Sequence, residues 1–145
     1  MGKTKCGTGS KIMLLTDGSG LPLSVEVHSA SPAEVLLIEP LLDQQQVEGT
    51  PEHLIYDRAA DSDPLRERLK ARGIDLVCPH RKNRKKPPTQ DGRKLRRYKR
   101  RYRIERTNSW LQNFKRLVIR MENKVHNFVG LVQLACVMIV LRRFT

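Results

Sequence analysis

Strand-like and helix-like segments alternate along residues 11–79, and that order admits few folds. Lys11 to Thr16 is apolar and strand-like, Asp17-Gly18-Ser19-Gly20 is a turn signal, and Leu21 to His28 alternates through Leu23, Val25 and Val27. The pair reads as a β-hairpin, because a short glycine-bearing turn lets two such runs meet antiparallel. Ser31-Pro32-Ala33-Glu34 opens a helix: Ser31 suits the N-cap, Pro32 the first helical position and Glu34 the capping box. Leu36, Leu37 and Leu41 supply its inner face. Gln44 to Pro51 is polar, contains Gly49 and reads as a loop. His53 to Asp57 is the next strand. Asp63-Pro64 starts a second helix with Leu65 and Leu69 inward and Gly73 as its stop. Ile74 to Val77 is a further strand, closed by Pro79. Strands alternating with helices imply a layered α/β domain.

Beyond residue 79 the character changes. Between His80 and Arg106 there are 14 Lys/Arg and two acids, a net +12. The remainder has 14 basic and 13 acidic residues, so almost all of the chain's charge of +13 sits in that window. One basic stretch on an otherwise neutral domain is the footprint of a polyanion partner. Its bland alternative is a solvated loop or a localisation signal. Arg81 to Arg93 contains Pro87-Pro88 and no apolar period, which predicts an exposed loop. From about Leu95 a helix carries Ile104, Leu111, Phe114 and Val118 at helical spacing, with 98, 101, 105 and 112 as a neighbouring stripe. A last helix runs from about Asn127 to Arg142. The expected organisation is a single domain: an α/β part over 1–79, a basic loop over 80–97 and a helical part over 98–145. A chain of 145 residues is long enough for one real core.

Cys6, Cys78 and Cys136 are far apart and odd in number, with no CxxC pair, which reads as reduced thiols of a cytosolic protein. Cys78-Pro79-His80 lacks a second ligand pair, which argues against zinc. Met1-Gly2-Lys3-Thr4-Lys5 has no apolar stretch and does not read as a signal peptide. Phe128 to Leu141, the most apolar run, contains Gln133 and falls short of the roughly 20 residues a membrane span needs. It reads as a buried helix, and no membrane partner is expected.

Two acids stand out. Asp57 ends an apolar strand, where open α/β sheets place ligand-binding groups, although strand-end aspartates are also common as turn formers. Asp61 and Asp63 read as turn and cap residues. Glu105 sits almost alone in the basic segment; Arg101, one turn earlier, is either its salt-bridge partner or a phosphate contact. Two carboxylates brought together repel unless a hard cation lies between them, and Mg²⁺ takes oxygen ligands while bridging to phosphate. Tyr98 suits stacking, hydrogen bonding or packing. Trp110 and Phe114 read as core, and His28, His53, His80 and His126 have no spacing that assigns them chemistry.

At this point the chain resembles the DDE transposases of bacterial insertion sequences, which have a ribonuclease H-like fold. Gly2-Lys3-Thr4-Lys5 through Leu21-Pro22-Leu23 is similar to the family's first hairpin. Ile55-Tyr56-Asp57-Arg58-Ala59-Ala60-Asp61-Ser62-Asp63 is similar to its second-acid motif. Tyr98-Lys99-Arg100-Arg101-Tyr102-Arg103-Ile104-Glu105 fits its Tyr-x2-Arg-x3-Glu signature. Asn127-Phe128 through Leu141-Arg142 resembles its closing helix. The resemblance implies metal-dependent cleavage of element-end DNA and strand transfer, with Asp57 and Glu105 as catalytic, metal-binding acids for Mg²⁺ or Mn²⁺. It also implies DNA contacts from Arg81, Lys82, Arg84, Lys85, Lys86, Tyr98, Arg101, Arg103, Gln112 and Lys115. The family has a lysine where this chain has Gln112, and Lys115 lies one turn further on.

The family's first aspartate lies on a strand before the hairpin; Asp17 belongs to the turn and is not that residue. The expectation is therefore a mixed ribonuclease H-like sheet flanked by helices but lacking its first, central strand: the C-terminal part of a transposase catalytic domain. Its expected partners are DNA and the N-terminal part of the same transposase or another copy, in the bacterial cytoplasm at the nucleoid. The competing readings are a non-catalytic DNA-binding remnant or regulator and, from charge alone, an RNA-associated protein.

Overall fold

A computed structural model describes residues 2–4 and 7–144 of the chain, so Cys6 lies outside the described residues. In chain order the strands are β1 (Gly2–Thr4), β2 (Gly7–Thr16), β3 (Pro22–Ser29), β4 (His53–Ile55) and β5 (Asp75–Val77). The helices are α1 (Ile38–Asp43), α2 (Asp63–Ala71), α3 (Gly92–Leu95), α4 (Tyr102–Gln112), α5 (Lys115–Val118) and α6 (Val125–Leu141). Three-residue-per-turn helical segments occupy Glu34–Leu36, Arg58–Ala60 and Arg97–Arg101. The architecture is mixed α/β, with two small sheets and two compact units: Met1–Val47 with Arg103–Thr145, and Glu48–Tyr102.

In the first unit β1, β2 and β3 form an antiparallel sheet in that order. Ile12 pairs with Val27 and Leu14 with Val25, with an irregularity at Leu15/Thr16 next to the turn. Alternation sends successive side chains to opposite faces. Leu14 and Val25 pack against a cluster of Leu111, Ala135, Cys136 and Ile139 from α4 and α6, with Trp110, Phe114 and Leu117 around it. Trp110 and Phe114 thus belong to the core, as their helical spacing predicts. Met13 and Leu15, on the opposite face, are also buried. Buried Glu26 is matched by His28, whose Nε2 is 2.7 Å away on the same strand face. α6 buries Phe128, Val132, Ala135, Cys136 and Ile139, a helical stripe. No helix among the described residues is long and apolar enough to cross a membrane.

Two sequence expectations fail here for reasons of backbone chemistry. The helix expected from Ser31 does not start there: the segment is a short turn at Glu34–Leu36, then α1, and neither start has a side-chain cap. Pro40 explains the break. In a helix begun at Pro32 its ring would clash with the carbonyl one turn back, whereas in α1 it sits in the first turn, where its missing N–H costs nothing. Leu37, Ile38, Leu41 and Leu42 then face inward and Leu36 is exposed. The long helix expected from Leu95 is likewise divided into α3, the Arg97–Arg101 turn, α4 and α5. Phe114, at φ −84° and ψ 95°, is extended and separates the last two. Val118, expected inward, is exposed.

In the second unit β4 and β5 pair in parallel, His53 opposite Asp75, Leu54 opposite Leu76 and Ile55 opposite Val77. α2 connects them and packs on β5 through fully buried Leu65 and Leu69. Ser62, and not Asp63 as expected, caps α2 by accepting from Leu65 N at 3.5 Å, and Asp63 is the first helical residue. The far end is a Schellman turn: Gly73 N donates to Lys70 O (2.9 Å) and Ile74 N to Leu69 O (2.9 Å). Gly73 adopts φ +78°, which favours glycine. Residues 78–91 have no regular structure, but the segment is tied down rather than loosely exposed.

Candidate active site

Asp57 follows directly on the end of a ladder. Tyr56 N donates to Val77 O (3.1 Å), the last bond holding this segment to β5, and the chain then turns away. Asp57 Oδ1 accepts from Ala59 N at 2.8 Å and caps the Arg58–Ala60 turn. This is the turn role common for such an aspartate, yet it uses only one oxygen. Oδ2 faces Arg101, whose Nη2 is 3.9 Å away. Arg101 Nη1 in turn donates to the Tyr98 phenol oxygen at 3.2 Å, with the guanidinium 5.9 Å from the ring centroid. Tyr98 and Arg101 are three residues apart in a segment with about three residues per turn, so they stack one above the other. Tyr98, Arg101 and Asp57 therefore form one cluster. The Asp57 and Arg101 side chains are 40% and 35% exposed, so the pair is open to ions and to solvent screening.

Glu105 is exposed on the first turn of α4 and belongs to the other compact unit; Ser109 Oγ donates to its backbone carbonyl at 3.0 Å. Arg103 is half-buried. Gln112 is the last residue of α4 and Lys115 the first of α5, so these two do not share one continuous helix as expected.

The basic segment sorts into two groups. Arg84 grips Asp63 with Nη1–Oδ1 at 2.8 Å and Nη2–Oδ2 at 3.1 Å, and also donates to the carbonyls of Lys86 and Pro87. Arg81 donates from Nε to Arg58 O (3.2 Å) and from Nη2 to Ala59 O (2.9 Å). Lys94 Nζ reaches Asp75 Oδ1 at 3.0 Å. These three cations brace the fold of their own unit. Lys82 and Lys85 are exposed, as is Lys86, which lies 3.6 Å from Asp63 Oδ2.

The hub of this bracing is Asp61, whose side chain is 2% exposed. It accepts from Arg81 N (2.8 Å), His80 Nδ1 (2.8 Å) and Arg66 Nη2 (3.1 Å). Burial opposes its charge, but these donors outweigh that and bring its pKa down to about 2. His80 Nε2 accepts the Thr89 backbone N–H at 3.1 Å, so Nδ1 carries the ring proton and donates to Asp61. Arg66 also donates to Leu76 O (2.8 Å), Cys78 O (3.2 Å) and Cys78 Sγ (2.9 Å), and Gln90 donates to Cys78 O. Burial pushes the Cys78 thiol up to about 11, which makes it a structural thiol. Sequence reading assigned Asp61 a turn role and His80 none. Their partners lie 5, 19 and 20 residues away, a set that no local period picks out.

Asp57 supplies a hard oxygen at an accessible position, beside the Arg101 guanidinium. Among the described residues no three His, Cys, Asp or Glu side chains gather into a metal-holding group. One or two carboxylates are nevertheless a donor number that Mg²⁺ accepts, with water and phosphate completing its shell.

Comparison with known proteins identifies the family and two relatives of the chain. The transposase DDE domain family matches residues 2–140. The chain is 33% identical over 139 residues to a protein of Burkholderia cepacia described as a transposase for insertion sequence element IS402, covering 90% of this chain and 62% of that protein. It is 34% identical over 137 residues to a protein of Brucella ovis described as a transposase for insertion sequence element IS6501, covering 92% of this chain and 98% of that one. No solved structure is significantly similar to the chain. With a match over nearly its whole length, the chain belongs to the transposase DDE domain family.

Proposed function

We propose that this chain is a catalytic-domain segment of a DNA transposase that binds element-end DNA and takes part in metal-dependent strand cleavage and transfer. The observation that carries the reading is the Tyr98–Arg101–Asp57 cluster: a strand-end carboxylate beside a guanidinium that is itself oriented by a phenol. Asp57 and Glu105 are the two acids that would hold Mg²⁺ or Mn²⁺. A divalent ion bound there stabilises the charge of the reacting phosphate. Arg101 sets the direction of the Asp57 carboxylate and offers a charged donor to a phosphate oxygen. Exposed Lys82 and Lys85 hold the DNA backbone, with Lys86, Lys115 and Gln112 as further contacts. Arg81, Arg84 and Arg103 contribute mainly positive potential.

We read the fold as ribonuclease H-like, with the strand that would bear the family's first aspartate absent from the described residues. Two edges support this. Among the described residues, Ser10–Thr16 of β2 pairs only with β3, and β4 pairs only with β5. A strand that pairs with another strand along one side is a template for a further strand on the other.

The test is nicking of an element-end duplex in Mg²⁺ or Mn²⁺. Nicking that Asp57→Ala abolishes is the expected result. Salt-sensitive binding without nicking would instead establish a non-catalytic DNA-binding protein, a reading favoured by the lack of a three-ligand group among the described residues.

A further inference from the structure

The hairpin turn Asp17–Gly20 has no part in the chemistry above, yet it is bonded to the helix that carries Glu105. Thr107 is fully buried, and its hydroxyl hydrogen is shared between Gly20 O at 2.5 Å and Arg103 O at 3.1 Å. Arg106 Nη2 donates to Ser19 O at 2.9 Å, and the same guanidinium lies 5.0 Å from the Trp110 ring centroid. A Cβ on Gly20 would sit 3.1 Å from both Arg103 O and Thr107 Oγ1, and the residue adopts φ +94°. The approach of turn to helix therefore requires glycine.

The turn is rigid in its own right. Asp17 Oδ1 accepts from Ser19 N (2.8 Å), Ser19 Oγ (2.8 Å) and Leu21 N (2.8 Å), while Asp17 N donates to Leu21 O (2.9 Å). It presents the carbonyls of Ser19 and Gly20 side by side to α4. Arg103, Arg106 and Thr107 are spaced three and four apart and share a helix face. Glu105 is offset from Arg103 and Thr107 by two residues, about 200° around the axis, and is exposed. Apolar contacts at Leu111 hold the other end of α4 but do not fix its rotation, because they are not directional. Two hydrogen bonds to consecutive carbonyls do.

We propose that the Asp17–Gly20 turn positions Glu105 for metal binding, acting through Thr107 and Arg106 as positioning residues. This rests on the reading of Glu105 as a metal-binding carboxylate. The test is Mn²⁺ titration of the intact chain, read by loss of the free-ion EPR signal, alongside thermal melts. Thr107→Val, which deletes the donor at nearly constant volume, is expected to weaken Mn²⁺ binding about tenfold, as outer-sphere changes at metal sites do. Thr107→Ser restores the affinity. Arg106→Met, an exposed change that leaves the core intact, weakens it by a smaller factor and answers the question if Thr107→Val fails to fold. Glu105→Gln is run in parallel. If the unaltered chain binds no Mn²⁺, or Glu105→Gln binds it as well as the unaltered chain, the metal reading falls and this inference with it. If Glu105→Gln weakens binding while the folded Thr107 and Arg106 variants only lower the melting temperature, the positioning role alone is overturned.

Discussion

Arg101 Nη2 lies 3.9 Å from Asp57 Oδ2, and the same guanidinium donates to the Tyr98 phenol. Both partners are more than a third exposed, so the pair stabilises the fold by no more than about 1 kcal/mol. Arg101→Ala should leave the urea midpoint nearly unchanged. Metal-dependent nicking should fall by about 100-fold or more, the scale expected when a charge-stabilising donor is lost. A large drop in stability with activity retained would show that Arg101 is structural.

Arg84 and Lys82 make opposite predictions. The Arg84 guanidinium is doubly bonded to Asp63, so Arg84→Ala should lower the urea midpoint. Lys82 is exposed, as is Lys85. Replacing either with alanine should leave the melting temperature alone and lower the slope of log affinity for duplex DNA against log salt by about 0.9. The salt series and a denaturation curve on each variant separate the two roles.

Asp61 predicts the acid limb of the stability curve. Its pKa in the folded protein is about 2, against an ordinary 3.8. A carboxyl depressed on folding contributes stability that is fully present above its unfolded pKa and disappears as pH falls through its folded one. The loss therefore runs from about pH 4 to about pH 2 and amounts to about 2 kcal/mol. Asp61→Asn should flatten that limb and be less stable at pH 7, because Arg66 loses its charged partner and an amide NH2 replaces the oxygen that accepts from Arg81 N. Urea unfolding from pH 2 to 7 on both proteins measures it.

Gly73 gives a purely conformational prediction. It adopts φ +78°, and nothing lies within 4 Å of the point a Cβ would occupy, so alanine would suffer backbone strain but no clash. Gly73→Ala should cost about 1 kcal/mol, seen as a lower urea midpoint with an unchanged slope.

What the sequence determined by itself is what short-range chemistry decides. The Asp17–Gly20 hairpin turn, the Gly73 stop and the position of Asp57 just past a strand each depend on a few neighbouring residues. Each was readable from turn and cap preferences. The break at Leu37 was also written locally, in Pro40, although the capping signal at Ser31 masks it. The Asp61 network, the internal use of Arg81 and Arg84, and the grip of Thr107 on Gly20 were not readable. From sequence alone Arg84 and Lys82 are equal members of one basic run, and Asp61 is an ordinary turn residue. Tertiary structure separated them by bringing Asp63 to Arg84 and His80 to Asp61, from 21 and 19 residues away. Local preference reaches about one helical turn, whereas a buried charge must find its partner wherever the folded chain places one.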